Sequence, residues 1–263
     1  MQILVDIGNT RIKWAQVEAG RLAGVGNAVH REARERALAS FEAALPQRVT
    51  RAIVANVAGD EIGRDLKELL RIRARITAEF VVVRAEQFGV RCAYADPSRL
   101  GVDRWVAVLA AHHRAPGAAC VIDAGTAVTF DAVDAHGMHL GGLILPGPRL
   151  LASTLDRNTN AIGATQAPGV RPQGLDLLGK STDAAVGNGA MLALTGALER
   201  AIAAVESSLK ERPTVYLTGG DAEALQGWLE SDVDLRRDLV LEGLALFSDA
   251  PAGAHLQPKG THA

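Results

Sequence analysis

Apolar and polar positions along the first 85 residues fall into short runs of two kinds. QILVDIG (2–8) is a nearly continuous apolar run of strand length, and RIKWAQV (11–17) alternates as a half-buried strand does. The tetrapeptide EAGR turns the chain toward a third strand at about 21–28. REARERALASFEAAL (31–45) is Ala-rich with charges on one side, the pattern of a helix that Pro46 ends. RAIVANV (51–57) predicts a strand. DEIGRDLKELLRIRAR (60–75) predicts a helix whose acidic start and basic end complement its dipole. EFVVVRA (79–85) reads as one more strand, so β and α alternate as in an α/β fold.

The middle of the chain repeats the beginning. After SRLGVDRWVAVLAAHHRA (98–115), a loop leading into a helix, ACVIDAG (119–125) is an apolar strand ending in Asp123-Ala124-Gly125-Thr126. AVTFDAV follows as a strand, DAHG as a turn and MHLGGLILPG as a third strand. The first pass runs strand, D-x-G-N-T, strand, turn, strand; the second runs strand, D-x-G-T, strand, turn, strand. Duplication explains this better than chance, and its depth of only a few motifs indicates paired domains rather than a solenoid. Residues 164–180 are rich in Gly and Pro and read as a mobile loop. Ser181 and Thr182 open a long helix, PTVYLTGGDAEAL is strand, Gly219-Gly220 and helix, DLVLEGLALF is a last apolar segment, and a Pro/Gly-rich tail begins at Asp249.

Composition narrows the class. The 263 residues suffice for two domains of about 130 each, divided as 1–115 and 116–249 with a tail at 250–263. Hydrophobic residues make up 48% and charged residues 22%, the balance of a globular protein with a sizeable core. The net charge of -2 offers no basic surplus for nucleic acid or an anionic membrane. Cys92 and Cys120 form no CxxC pair, which disfavours structural zinc and a disulfide framework. No charged leader is visible, and no apolar stretch reaches the roughly 18 residues of a spanning helix, so a cytoplasmic, soluble protein is expected.

The two D-x-G loops carry the chemistry. A strand that breaks into Gly with Asn or Thr exposes consecutive backbone N–H groups and a hydroxyl, a concavity suited to phosphate oxygens. An Asp at the strand end cannot meet a phosphate unaided, but it can hold a cation that neutralises one. One copy alone is an ordinary strand-to-turn junction. Two copies at equivalent points of a repeat favour a nucleotide gripped from two sides. Thr218-Gly219-Gly220, again at a strand end, adds a place where a flat adenine or ribose can approach the backbone.

This set resembles the superfamily of acetate kinase, sugar kinases, Hsp70 and actin. More narrowly, nearly the whole chain looks like a type III pantothenate kinase, on DIGNT (6–10), GVDR (101–104), DAGTA (123–127), GGLILPG (141–147) and TGG (218–220) in that order. The resemblance implies two duplicated ribonuclease H-like (actin-like ATPase) domains, each a mixed sheet flanked by helices, with ATP in the cleft. It implies ATP-dependent phosphorylation of pantothenate to 4'-phosphopantothenate, the first step of coenzyme A biosynthesis, with Mg²⁺ accompanying ATP. ATP would be held by Asp6, Ile7, Gly8, Asn9, Thr10, Arg11, Ile12, Lys13 and Thr126, with Gly219 and Gly220 on the adenosine side. Asp103 would be the general base. Gly101, Val102, Asp103 and Arg104 would line the pantothenate site together with Tyr94 and Thr182. Asp123 would hold a monovalent cation, K⁺ or NH₄⁺, and the protein would be a homodimer.

Independently of the resemblance, phosphoryl transfer needs positioning, charge neutralisation and a carboxylate to receive the hydroxyl proton. Asp103 suits that role at a helix start remote in sequence from the phosphate loops, although an Asp-Arg pair in such a place is more often a cap. Arg104 can fork onto a carboxylate or a phosphate. Arg11 and Lys13 share a strand face, for which solvated charge is the default. His112 and His113 point in different directions and share no metal, His136 and His139 flank a turn and are expected to be solvated, and Trp14, Trp105 and Trp228 are expected to pack. A kinase of another small hydroxyl compound, a polyphosphate hydrolase and a non-catalytic nucleotide-dependent regulator are the alternatives, because a phosphate cradle does not fix the acceptor.

Overall fold

The computed structural model describes residues 1–18, 20–114, 116–158 and 171–251. It divides into two compact units, Met1–Ala110 with the described residues from Leu239 onward, and Ala111–Asp238.

In the first unit β1 (Gln2–Ile7), β2 (Arg11–Glu18) and β3 (Arg21–Val29) form an antiparallel meander. After α1 (Arg34–Ala43), β4 (Arg51–Asn56) pairs parallel with β1. After α2 (Asp60–Arg73), the three-residue β5 (Ala78–Phe80) pairs parallel with β4, for a sheet order β3-β2-β1-β4-β5. Alternation along β1 sends Ile3, Val5 and Ile7 into a core with Trp14, with Phe41 of α1 and with Ile62, Leu66 and Leu70 of α2. The Trp14 and Phe41 rings meet edge to face at 5.6 Å. The opposite alternation puts Leu4 and Asp6 on the other face of the sheet.

The strand expected over 79–85 stops at Phe80. Val81 gives its amide to Val54 O at 2.8 Å, and among the described residues no strand runs alongside to pair with Val82 and Val83. The chain instead forms a small hairpin of β6 (Glu86–Gln87) and β7 (Val90–Arg91), which the alternation did not reveal. Phe88 and Gly89 at its tip both have positive φ, as a type I′ turn requires. The conformation costs Phe88 strain, offset by its ring packing at 4.8 Å against Phe247. A single 3₁₀ turn (Pro97–Arg99) then leads to α3 (Val102–Arg114).

The second unit repeats this sheet. β8 (Ala119–Ala124), β9 (Ala127–Val133) and β10 (His139–Pro146) form the meander, and β11 (Thr214–Thr218) and β12 (Val233–Leu235) add in parallel, in the order β10-β9-β8-β11-β12. Between them lie α4 (Pro148–Asn158), the 28-residue α5 (Thr182–Leu209) and the short α6 (Ala222–Gln226). Ser181 caps α5, its hydroxyl accepting the Ala184 amide at 3.2 Å, and Thr182 is the first residue within the helix. Cys120, Ile122, Phe130, Met191, Leu194, Leu198 and Trp228 fill the core of this unit. Burial pushes the Cys120 thiol up to about 12, so it is a packing group rather than a nucleophile.

Two expectations about placement change. DLVLEGLALF, read as the end of the second domain, forms α7 (Leu239–Leu246) and belongs to the first unit, where it contacts β1, β2, β3 and β4. The segment after it is fastened there by Arg51, which donates to Ala250 O at 2.8 Å while its guanidinium forks onto Glu79 at 2.8 and 2.9 Å. His139, expected in solvent, is fully buried and lies 3.1 Å from Asp131 Oδ1 across the β9–β10 pair. The carboxylate satisfies an imidazole that would otherwise be costly to bury. Residues 164–170 of the Gly/Pro-rich stretch and residues 252–263 of the tail lie outside the described residues.

Candidate active site

In the first unit the β1–β2 junction carries Asp6 to Lys13. Gly8 donates its amide to Arg11 O at 3.0 Å, closing a connection of only Asn9 and Thr10. Asn9 is exposed, while Gly8, Thr10 and Lys13 are half-buried. Ile7 and Ile12 are fully buried in the core, so only their backbone can serve a ligand. Arg11 reaches sideways, donating to Asn27 Oδ1 at 2.9 Å. Asp6 is 9% exposed and stands opposite Lys13 in the β1–β2 register, on the same face of the sheet.

The GVDR segment forms the first turn of α3. Asp96 fixes the approach to it: its Oδ1 accepts from the Ser98 hydroxyl at 2.7 Å and the Ser98 amide at 3.0 Å, bonds that hold this carboxyl below its usual range. Trp105 donates its amide to Gly101 O at 3.0 Å, and its indole N–H to the buried Gln87 Oε1 at 2.5 Å. Asp103 is half-buried and its Oδ1 accepts the Arg104 amide at 2.8 Å. That oxygen lies where a Cβ on Gly101 would come within 2.7 Å, so glycine at 101 leaves the carboxylate its place. Arg104 is 7% exposed, and its Nη1 donates to the Tyr94 hydroxyl at 3.3 Å. The structure thus brings together Tyr94, Gly101, Asp103 and Arg104, four residues expected to contact the acceptor.

In the second unit three expected segments converge on one loop. Gly125 gives its amide to Ala127 O at 3.1 Å, leaving Thr126 exposed at the apex. The Gly147 amide, at the exit of β10, donates to Thr126 O at 3.0 Å, and the Asp221 amide, just after Gly219-Gly220, donates to Ala124 O at 2.9 Å. A Cβ on Gly147 would lie 2.5 Å from Gly125 O, and one on Gly219 would lie 2.4 Å from Ala124 O and 2.5 Å from Asp123 Oδ1. Gly219 also has φ of +101°. Both glycines are therefore required by backbone packed against backbone. Gly220 borders open space. Asp221 is held in turn by an ion pair with Arg149, from a helix absent from the sequence reading. We expect Gly219→Ala to weaken Mg-ATP binding about tenfold and to lower the melting temperature, since local strain of this kind costs about 1–3 kcal/mol. Titration calorimetry and thermal unfolding check it, and unchanged binding would show that this contact does not shape the nucleotide site.

Thr182 lines an apolar groove of about 720 Å³ between α4 and α5 together with Pro146, Leu151, Val186 and Ala190. Asp123 is half-buried, with Thr129 and Thr218 beside it in the sheet register. Among the described residues no three His, Cys, Asp or Glu side chains gather to hold a metal. A cation here would therefore complete its shell with hydroxyl, main-chain, water and phosphate oxygens around one carboxylate. Such a set suits Mg²⁺ on a nucleotide or an alkali cation, and not zinc. His112 and His113 hold their rings nearly perpendicular with centroids 5.7 Å apart, and burial, with His113 beside it, pushes the His112 pKa down.

Two meandered sheets of identical order, each with a D-x-G loop at the end of its first strand, mark the duplicated ribonuclease H-like fold class. A ROK family glucokinase from Streptomyces griseus in complex with glucose and AMPPNP has this fold, superposing with a TM-score of 0.50 over 94% of this chain and 98% of that one at 14% identity. The model of the type III pantothenate kinase family matches residues 2–204, and the chain belongs to that family. The type III pantothenate kinase of Nitrosococcus oceani is 35% identical over 250 residues, covering 93% of this chain and 92% of that protein. That of Pseudomonas aeruginosa is 38% identical over 247 residues, covering 94% and 98%.

Proposed function

We infer that this chain is a pantothenate kinase, transferring the γ-phosphoryl group of ATP to the pantothenate hydroxyl and so opening coenzyme A biosynthesis. Family membership supports the reaction. The observation that carries the residue assignment is the first turn of α3, where a carboxylate and a buried guanidinium bonded to a tyrosine hydroxyl stand side by side. In this reading Asp103 receives the hydroxyl proton, and Arg104 with Tyr94 orients the acceptor through its carboxylate. The Asp6–Lys13 loop and Thr126 hold the phosphates by main-chain N–H groups and hydroxyls, and Gly219-Gly220 admits the adenosine moiety. Thr182 is assigned to the acceptor by the family resemblance. Mg²⁺ bound to ATP neutralises phosphate charge.

ADP release with Mg-ATP and K⁺ tests the reading, with pantothenate, a panel of sugars, or no acceptor. Release dependent on pantothenate is expected. Release with no acceptor would mean a hydrolase, release only with a sugar another kinase, and no turnover a nucleotide-dependent regulator. We further propose that Asp123 holds K⁺ or NH₄⁺. Exchanging K⁺ for Na⁺ is then expected to lower the rate severalfold, and an Asp123→Asn variant to be indifferent to the exchange; an indifferent wild type would remove the role.

The family resemblance supports a homodimer, and so do exposed apolar side chains on neighbouring elements of the second unit, Leu143 and Ile144 of β10, Leu150 of α4 and Leu192 of α5. Analytical ultracentrifugation showing a monomer at micromolar concentration would overturn it. Among the described residues no helix is long and apolar enough to cross a membrane. A cytoplasmic location is proposed from the biosynthetic role, and fractionation checks it.

A further inference from the structure

We propose that His30 is a positioning residue that sets the conformation of the first phosphate loop; the proposal rests on the assignment of that loop to ATP. His30 follows β3 directly and is 8% exposed. It engages the loop twice. Its backbone amide donates to Thr10 O at 3.0 Å, and its ring Nε2 lies 2.6 Å from Gly8 O. A carbonyl only accepts, so Nε2 carries the proton of that bond. One residue therefore fixes both carbonyls that flank Asn9.

The loop needs such support. Two-residue hairpin connections favour the primed turns, which demand positive φ, because other turns splay the strands. Neither Asn9 nor Thr10 has positive φ, so their backbone supplies no self-closing turn of that kind. A carbonyl oxygen swung toward a bound phosphate would repel it. Holding the Gly8 and Thr10 oxygens in hydrogen bonds within the protein prevents that swing and favours a donor-lined concavity.

The second unit contains its own comparison. By sheet register Gly147, leaving β10, occupies the place that His30 occupies leaving β3, because Pro146 pairs with Ala127 as Val29 pairs with Arg11. Gly147 likewise donates its amide to a threonine carbonyl, Thr126 O, at 3.0 Å. Its backbone comes so near the Gly125 carbonyl that a Cβ would lie 2.5 Å from that oxygen. In the first unit the corresponding glycine carbonyl, Gly8 O, is instead met by the imidazole. In both copies the threonine carbonyl of the loop is thus held by a backbone amide, and in the first a histidine ring also engages the glycine carbonyl.

The test compares full-length wild type, His30→Ala and His30→Gln by calorimetric titration with Mg-ATP, by KM for pantothenate at saturating ATP, and by thermal unfolding. His30→Ala is expected to raise the Kd for Mg-ATP about tenfold, the scale of one lost buried hydrogen bond, while the pantothenate KM stays within about twofold. His30→Gln, which keeps a donor, is expected to recover much of the loss. Wild-type ATP affinity in His30→Ala would overturn the proposal. So would equal losses for both substrates tracking the fall in melting temperature, which mark a merely structural role. Should His30→Ala fail to fold, His30→Phe fills the volume without a donor and carries the same comparison. If the wild type itself fails to bind Mg-ATP, the nucleotide assignment falls and the proposal falls with it; if the wild type binds and His30→Ala binds equally, only the proposal does.

Discussion

An Asp103→Asn variant is expected to lose about 10²- to 10⁴-fold in turnover with pantothenate, the usual contribution of a positioned general base, while binding Mg-ATP as the wild type does. The substitution separates the two roles open to this residue. Asp103 stands in the first turn of α3, where a carboxylate is favoured by the helix dipole and where its Oδ1 accepts the Arg104 amide. An asparagine keeps the shape and the accepting oxygen, and Asn stabilises helix starts about as well as Asp. If Asp103 were only a terminal group of the helix, the exchange would cost a few tenths of a kcal/mol in stability and nothing in rate. A base, in contrast, cannot be replaced by an amide, which does not accept the proton.

Steady-state rates with saturating pantothenate, together with nucleotide titration, distinguish these outcomes. Turnover within severalfold of the wild type would end the base assignment. Parallel loss of ATP binding would relocate Asp103 to the nucleotide site.

The paired sheets were legible because each repeats the same order of pattern signals, a buried run, a small-residue break and an alternating strand. The segments that escaped lacked a local signal or had one that misled. Val81-Val82-Val83 has the β-branched composition of a strand, but β5 is the edge strand beside β4 among the described residues, and the pairing stops at Phe80. The α4 segment follows Pro146-Gly147-Pro148, which reads as a break, although proline suits the first position of a helix and Pro148 stands there. The α7 segment is apolar enough to be buried anywhere. Chain order assigned it to the second half, whereas Gly243 fits so closely against the Val106 carbonyl that a Cβ there would lie 2.1 Å from the oxygen, inside the first unit.

The site divides in the same way. The two D-x-G loops and the Asp103-Arg104 helix start are contiguous motifs, and their strand-to-turn and loop-to-helix form was readable from the sequence. His139 was misjudged because its partner Asp131 is eight residues away and only strand register brings them together. Gln87 and His30 were missed for a like reason, since they act on Trp105 and Gly8 across 18 and 22 residues. Aligning the third strand of each repeat as well as the first would have set His30 against Gly147.

Replacing Arg104 by leucine is expected to lower kcat/KM for pantothenate by about 10²- to 10³-fold, on the scale of about 2–5 kcal/mol for truncating a buried charge partner. The side chain is 7% exposed and donates to the Tyr94 hydroxyl at 3.3 Å beside Asp103, and its planar fork matches the two oxygens of an acceptor carboxylate. Lysine is not a substitute, because a point charge lacks the planar fork that grips two carboxylate oxygens. Two anions compete for this guanidinium in principle, the carboxylate of pantothenate and the phosphoryl group in transfer. Pantothenol, in which that carboxylate is an alcohol, tells them apart. If Arg104 holds the carboxylate, the wild type discriminates strongly against pantothenol and Arg104→Leu loses that discrimination, its kcat/KM for the two acceptors converging. If Arg104 instead stabilises the transferring phosphoryl group, the variant slows both acceptors equally and the wild-type preference survives. Tyr94→Phe bears on the same choice: removal of a hydroxyl bonded to Arg104 is expected to cost about 1 kcal/mol, near fivefold, in the pantothenate KM alone.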